Sequence, residues 1–293
     1  MTAMAQESFT SAESALTSHL LRGEHKDEVL AFLSARPVQT VFMSGFIRDN
    51  GLVSDLNRGR FYGLRDGQGR LEGAALIGRC TFIEARSKRA LAAFARLVQG
   101  CSTARMILGE QEQIESFWSY FSRCGRTARR VCRQLLFERR LPIQPLERVP
   151  DLRLATPDDL PRLLPPFAEM ALRERGVNPL EEDPIGFHER WLRRIRQGRV
   201  WHWTENGRLI FTSALTCETP EVIYLEAVYV SPDGRGKGYG SRCLSQLTRS
   251  LLQRAKSVCL LVNERDVRAQ VFYQKIGYRL TGHYRTIFLN PEN

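Results

Sequence analysis

Lysine is scarce in this chain: Lys26, Lys88, Lys237, Lys256 and Lys275 are five of 43 basic residues, and the rest are arginine. A mobile polylysine surface is therefore excluded, and the formal charge of +11 rests on planar guanidinium groups suited to fixed contacts with phosphate or carboxylate. No uncharged apolar run reaches the length of a membrane span, so no contact with a membrane is expected. The seven cysteines are odd in number and include no Cys-x-x-Cys pair and no Cys/His cluster at zinc spacing. That excludes a structural zinc site and a paired disulfide framework, and leaves reduced thiols with no metal as the expectation. Neither a GxxxxGK[ST] loop nor a GxGxxG fingerprint is present. The first residues lack a basic segment followed by an apolar one, so a secretory signal is not expected and the location expected is cytoplasmic.

The 293 residues suffice for two domains of roughly 150 residues each. With 43% hydrophobic and 26% charged residues, each half can build a core, which rules out a disordered or fibrous chain. Three prolines in LPIQPLERVP, residues 141–150, mark the composition break, because proline extends neither a helix nor a central strand. The expected organisation is a flexible N-terminus over 1–17, a first domain over 18–145, a linker over 146–150 and a second domain over 151–293.

In the second domain a short strand at Leu152–Ala155 leads to a helix opened by Thr156, Pro157 and Asp158. Phe187, Trp191 and Ile195 stand at helical spacing, with Gly198 as a stop. Strands VWHWTE, RLIFTSALT and EVIYLEAVYV follow, the first two joined at Asn206-Gly207. Leu244, Leu247, Leu251 and Leu252 mark a helix, CLLVN a buried strand, and 266–276 a helix closed by Gly277. Two last strands, around YRLTG and RTIFL, end the domain. Strands before and after helices, with a strand–loop–helix unit between, make the expected class a mixed α/β sheet. The first half repeats the plan: a hairpin around Asp66 and Gly67, TFIEA leading into a helix with Leu91, Phe94 and Leu97, then ARMILG leading into EQIESFWSYF. That order echoes residues 200–276 and suggests an internal duplication.

The segment VYVSPDGRGKGYGSRCLSQL, residues 228–247, carries the most chemistry. A strand ends at Pro232, and Arg235, Gly236, Lys237, Gly238, Tyr239 and Gly240 lead into a helix. Glycines at a helix mouth let backbone N–H groups approach an anion, and the helix dipole adds positive character. The spacing therefore fits a pyrophosphate cradle, with a bare strand–helix corner as the structural alternative.

Arg235-x-x-Gly238-x-Gly240 after a Val-Tyr-Val-x-Pro strand resembles the acetyl-CoA signature of the GCN5-related N-acetyltransferase superfamily. LRLATPDDL resembles the family's opening strand and helix, and LLVNERDVRAQVFYQKIGY its last CoA-contacting strand and helix, so the likeness spans about residues 151–290. It implies two tandem acetyltransferase-like domains, a C-terminal one with an intact motif and a degenerate N-terminal one, since ARSKRALAAFARL after TFIEA holds no glycine loop. Met170, Glu174, Gly176 and Pro179 are similar to a bacterial group with an additional N-terminal domain.

The resemblance further implies acetyl-CoA as cosubstrate, with backbone at Val228, Tyr229 and Val230 along the pantetheine arm and polar contacts at Asn263 and Asp266. The family commonly has asparagine where Asp266 stands; either residue caps a helix. Glu226 is the candidate base, since alternation places it on one face with Val228 and Val230 among apolar neighbours; the alternative is a structural carboxylate paired with an arginine. Tyr273 is the candidate acid, the alternative being an aromatic packed on the core. Glu174, Trp201 and Trp203 offer acidic and aromatic walls for a cationic amine, or else a solvated charge and two half-buried strand residues.

The expected activity is therefore acetyl transfer to a primary amine of a small molecule or protein by direct attack. An aminoacyl-tRNA-dependent transferase and a non-catalytic CoA-binding module are the alternatives. Residues 123–140 hold seven arginines and one acid, Glu138, and read as a solvated basic face rather than a nucleic-acid site, since Phe137 is their one ring.

Overall fold

A computed structural model describes residues 16–142 and 148–290. Most of the segment expected to be flexible, residues 1–15, and residues 146–147 of the expected linker lie outside the described residues. The first half contains strands β1 (Thr17–Leu20), β2 (Gly59–Arg65), β3 (Leu71–Gly78), β4 (Cys80–Ala85), β5 (Met106–Glu110) and β6 (Ala128–Arg139). Its helices are α1 (Lys26–Ser34), α2 (Val41–Asn50), α3 (Lys88–Gln99) and α4 (Gln111–Phe121). The second half contains β7 (Arg153–Leu154), β8 (Val200–Glu205), β9 (Arg208–Glu218), β10 (Val222–Val230), β11 (Ser257–Asn263) and β12 (Arg279–Leu289). Its helices are α5 (Leu160–Arg175), α6 (Pro179–Glu182), α7 (Pro184–Arg196), α8 (Tyr239–Leu251) and α9 (Val267–Lys275).

Local sequence accounts for several boundaries. Thr156 and Asp159 form a capping box ahead of α5, and Asn206 and Gly207, at φ 49° and 74°, make the two-residue turn between β8 and β9. Asp159 also takes both guanidinium nitrogens of Arg153 at 2.9 Å, and the His202 Nε2 lies 3.2 Å from its Oδ2. Burial holds the His202 imidazole below its ordinary pKa, with Asp159 opposing. Although burial works against it, hydrogen bonds from Arg153 and Thr156 keep the Asp159 carboxyl below the usual carboxylate range. Both groups are depressed, so the unfolded chain binds more protons than the folded one as pH falls, and both contributions are lost toward acid. Denaturant midpoints followed from pH 7 down to pH 5 should decline, and the decline should be shallower in His202→Gln.

All twelve strands join one sheet in the order β1-β2-β3-β4-β5-β12-β6-β11-β10-β9-β8-β7. Among the described strands only β4–β5 and β10–β11 pair parallel. The middle of the order is an exchange: β12, from the second half, lies between β5 and β6, while β6, from the first, lies between β12 and β11.

Two expectations are corrected by this exchange. The last two strands are one eleven-residue strand, β12, bulged between Leu280 and Gly282, because β6 fills the place a second hairpin strand would take. The arginine-rich stretch keeps Arg123, Arg129, Arg133 and Arg140 exposed, but it also carries a central strand whose C-terminal part is buried. Leu135, Leu136, Phe137, Glu138 and Arg139 are buried there, and Arg139 donates to the carbonyls of Leu141 and Ile276. Arg129 and Arg130 donate to the Arg175 and Arg173 carbonyls at the C-terminal end of α5, where cations are favoured.

The helices cover both faces. Core residues of α3 and α4 pack on one face of the first half, and those of α8 and α9 on the corresponding face of the second. The other face carries α1 and α2 and, farther along, α5 and α7. Phe42 on α2 stacks on Phe82 of β4 at 4.9 Å and meets Tyr224 of β10 at 4.5 Å. Those strands stand five places apart in the sheet, so the sheet curls around α2. Gly45 of α2 lies directly on Cys217 of β9, and Asp49 takes a bidentate ion pair from Arg199. A helix of the first half thus packs directly on strands of the second.

Candidate active site

Parallel pairing between β10 and β11 stops after Val222–Tyr224 with Ser257–Cys259. Beyond that the strands separate, leaving a V at the level of Leu225–Val230. Between β10 and α8 runs an eight-residue loop in which Gly236 and Gly238 have φ of 76° and 79°. A Cβ at either position would meet nothing within 4 Å, so both face open space. Gly238 is the N-cap of α8 and offers no side-chain cap, so the first N–H groups of the helix face outward. Gly240 instead serves packing: its Cβ would come within 2.9 Å of Val230. Arg235 donates through Nε to the Val230 carbonyl at 3.2 Å, Lys237 is exposed, and Tyr239 meets Trp203 edge-on at 5.0 Å. An open V beside an uncapped, glycine-lined helix mouth fits the pantetheine arm and pyrophosphate of a CoA thioester.

The equivalent place in the first half is closed. Only a two-residue link, Arg86-Ser87, joins β4 to α3 there, and the Ser87 hydroxyl caps the helix by accepting from the Ala90 N–H. Arg36 reaches into the V between β4 and β5 and pairs with Glu84 and Glu110.

Register makes the two halves superimposable at this point. Phe82-Ile83-Glu84-Ala85 matches Tyr224-Leu225-Glu226-Ala227, with Glu84 opposite Ala74 and Glu226 opposite Ala214. Each carboxylate meets an arginine, Arg36 for Glu84 and Arg194 for Glu226. Arg194 also lies over the Trp191 ring at 4.8 Å. The same pairing thus recurs in the half without a glycine loop.

A bulge corrects the facing expected for Glu226. Ala227 has φ 53°, and the register between β10 and β9 slips between Glu226 and Tyr229. The extra residue reverses the alternation. Val228 and Val230 pack toward α8 and α9, whereas Glu226 faces Arg194 of α7, on the other side.

Glu174, at the end of α5, stands near Glu226 and Tyr224. Its side chain is exposed to solvent, while protein crowds the carboxyl end. Loss of water there pushes its carboxyl up, Arg175 opposes this, and the Glu226 charge adds to it. Trp201 and Trp203 are not brought to these carboxylates, because they pack with the α8 core on the opposite face. Tyr273 is buried against Phe137 and Tyr278, and burial pushes its hydroxyl above the usual phenol range, so it is held protonated. Asp266 caps α9 by accepting from the Ala269 N–H at 2.9 Å, and Asn263 accepts from the Arg265 N–H. The sequence did not single out Arg194, although its place one turn after Trp191 puts both on one helix face.

This architecture, a mixed sheet with a V between two parallel strands in each half, is the fold of the GCN5-related N-acetyltransferases in tandem form. A model of the family described as FR47-like protein matches residues 211–287. Among solved structures, the chain is similar to a GNAT-family acetyltransferase of Colwellia psychrerythraea, at 12% identity and TM-score 0.59 over 94% of this chain and 99% of that one. A GCN5-related N-acetyltransferase of Sphaerobacter thermophilus matches at 15% identity and TM-score 0.60, covering 93% and 94% of the two chains. A tandem GNAT protein from the clavulanic acid biosynthesis pathway matches at 15% identity and TM-score 0.58, covering 95% of this chain and all of that one. No helix among the described residues is long and apolar enough to cross a membrane, and no group of three or more His, Cys, Asp or Glu side chains gathers there to hold a metal.

Proposed function

We propose that the chain transfers an acetyl group from acetyl-CoA to a primary amine of a small molecule or protein, by direct attack in the second half. The observation that carries this reading is the open, glycine-lined mouth of α8 beside the V, set against its closed counterpart in the first half. Acetyl-CoA supplies the activated thioester. The N–H groups from Gly236 to Gly240, with Arg235 and Lys237, hold the pyrophosphate, and backbone from Val228 to Val230 lines the arm. Glu226 and Glu174 together draw the ammonium form of the acceptor to the open side of the V. Its proton passes to this carboxylate pair, directly or through a water, and loss of water around the Glu174 carboxyl, which raises its pKa, favours protonation there. Burial holds the Tyr273 hydroxyl protonated; it donates to the departing thiolate and is reprotonated by the second proton that the nitrogen sheds as the amide forms.

A panel of primary amines assayed by thiol release tests the reading. Glu174→Gln should lower kcat/KM about a hundredfold and remove the acid limb of the pH–rate profile, the limb on which the carboxylate becomes protonated. Tyr273→Phe should lower kcat with CoA affinity unchanged. CoA binding without turnover of any amine would instead assign the chain to the non-catalytic CoA-binding class. An aminoacyl-tRNA donor has no use for the pyrophosphate cradle, so that alternative gains no support from the site.

A further inference from the structure

A second cluster of charge lies where the halves meet, apart from the cofactor mouth. Gly59 and Gly78 face each other across β2 and β3, and their backbones touch: a Cβ on Gly78 would come within 2.4 Å of the Gly59 Cα. This close approach sets Arg58 beside Arg79, whose N–H donates to the Arg58 carbonyl at 3.0 Å. Arg58 holds a left-handed backbone, φ 54°, which is uncommon for a residue with a side chain. From the second half, Arg190 on α7 is brought alongside by the consecutive carboxylates Glu182 and Asp183, which pair with Arg79 and Arg190, and Arg175 at the end of α5 lies near enough for its charge to act with theirs on the Cys80 thiol.

The carboxylates facing this cluster are Glu182, 3.8 Å from Arg79, and Asp183, 2.8 Å from Arg190. Arg58 and Arg175 have no ion pair and no side-chain hydrogen bond among the described residues, although both are exposed. Crowding of the guanidinium by protein, then the charges of Arg190 and Arg79, depress the Arg58 pKa, although the side chain as a whole is exposed. Like charges gathered by close backbone packing, with half their number of carboxylates, are relieved by an incoming anion.

Arg175 directly follows Glu174, so the same end of α5 carries one group for an ammonium and one for an anion. We propose that Arg58, Arg79, Arg175 and Arg190 form an anion site that receives a carboxylate or phosphate carried by the acceptor amine. The inference rests on the acetyl-transfer reading for the identity of the ligand. The first half thereby contributes Arg58 and Arg79 to acceptor choice without a cofactor loop of its own.

The test has two arms. In the first, inorganic phosphate is titrated against thermal unfolding with CoA at saturation, so that the glycine loop is already filled. Phosphate should raise the unfolding temperature of the unaltered chain and not that of Arg58→Gln or Arg175→Gln. No shift, or an equal shift in the variants, overturns the site whether or not acetyl transfer is found. In the second, amines bearing a carboxylate or phosphate are compared with their amide or ester counterparts. The anionic member should be preferred at least tenfold in kcat/KM, and Arg58→Gln should abolish the preference by raising KM while kcat and CoA affinity hold. Phosphate protection without that preference among amines that turn over would give the site to a separate anion and overturn its assignment to the acceptor. If no amine turns over, the acetyl-transfer reading fails, and the acceptor assignment fails with it, while the phosphate arm still decides the anion site.

Discussion

Gly238→Val should weaken CoA binding at least a hundredfold, about 3 kcal/mol, while leaving the fold intact. The position has φ 79° and opens onto space. A β-branched residue there strains the backbone by about 1–2 kcal/mol. The loop relieves that strain by rotating its peptide planes, and the N–H groups that converge on the pyrophosphate then diverge. No core contact is lost, so thermal unfolding should move little. Calorimetric titration with CoA gives the affinity and circular dichroism the fold. An unchanged dissociation constant would show that the loop does not hold the pyrophosphate. Gly240 is a poorer site for this experiment, because its neighbour Val230 would make any loss a matter of packing.

Gly45→Val should destabilise the whole protein by about 3 kcal/mol. A Cβ at this point of α2 would lie 2.6 Å from the Cys217 Cβ and 3.3 Å from its Cα. The helix would have to retreat from β9, drawing Phe42 from between Phe82 and Tyr224 and pulling Asp49 from Arg199. A fall in unfolding temperature of about 5–10 °C is expected for a chain of this size. Exchanging the partners, Gly45→Ala with Cys217→Gly, should recover much of the loss incurred by Gly45→Ala alone. A Gly45→Val protein as stable as the unaltered chain would mean that α2 does not rest on β9.

Local chemistry made much of the second half legible. The Asn206-Gly207 turn, the Thr156 cap and the glycine loop each need a few adjacent residues with one conformational preference, and each lies where the sequence places it. The exchange of β6 and β12 was not legible, because strand neighbours are chosen by packing between residues far apart. Arginines on a strand read as surface when the carbonyls they satisfy, such as those of Ile276 and Arg175, belong to distant elements. The bulge at Ala227 carries no glycine to announce it, and one inserted residue reverses every facing after it. One signal was available: Glu-Ala after an aromatic and an aliphatic residue, at 82–85 and again at 224–227, marks the twofold repeat and places Glu226 in a setting shared with a half that lacks the loop.

The exchanged strands also impose an order of events on the ribosome. β12 is the last of the twelve strands to be synthesised, yet it lies between β5 and β6 of the first half. Until it emerges, β5 and β6 cannot be joined, and each presents an unpaired edge open to the wrong partner. The first half therefore waits, incompletely closed, through the synthesis of about half the chain, and the long sequence separation of the pairing slows its completion. Chaperone dependence during synthesis, and aggregation on loss of the last strand, follow from a topology whose first-made half is closed by its last-made segment.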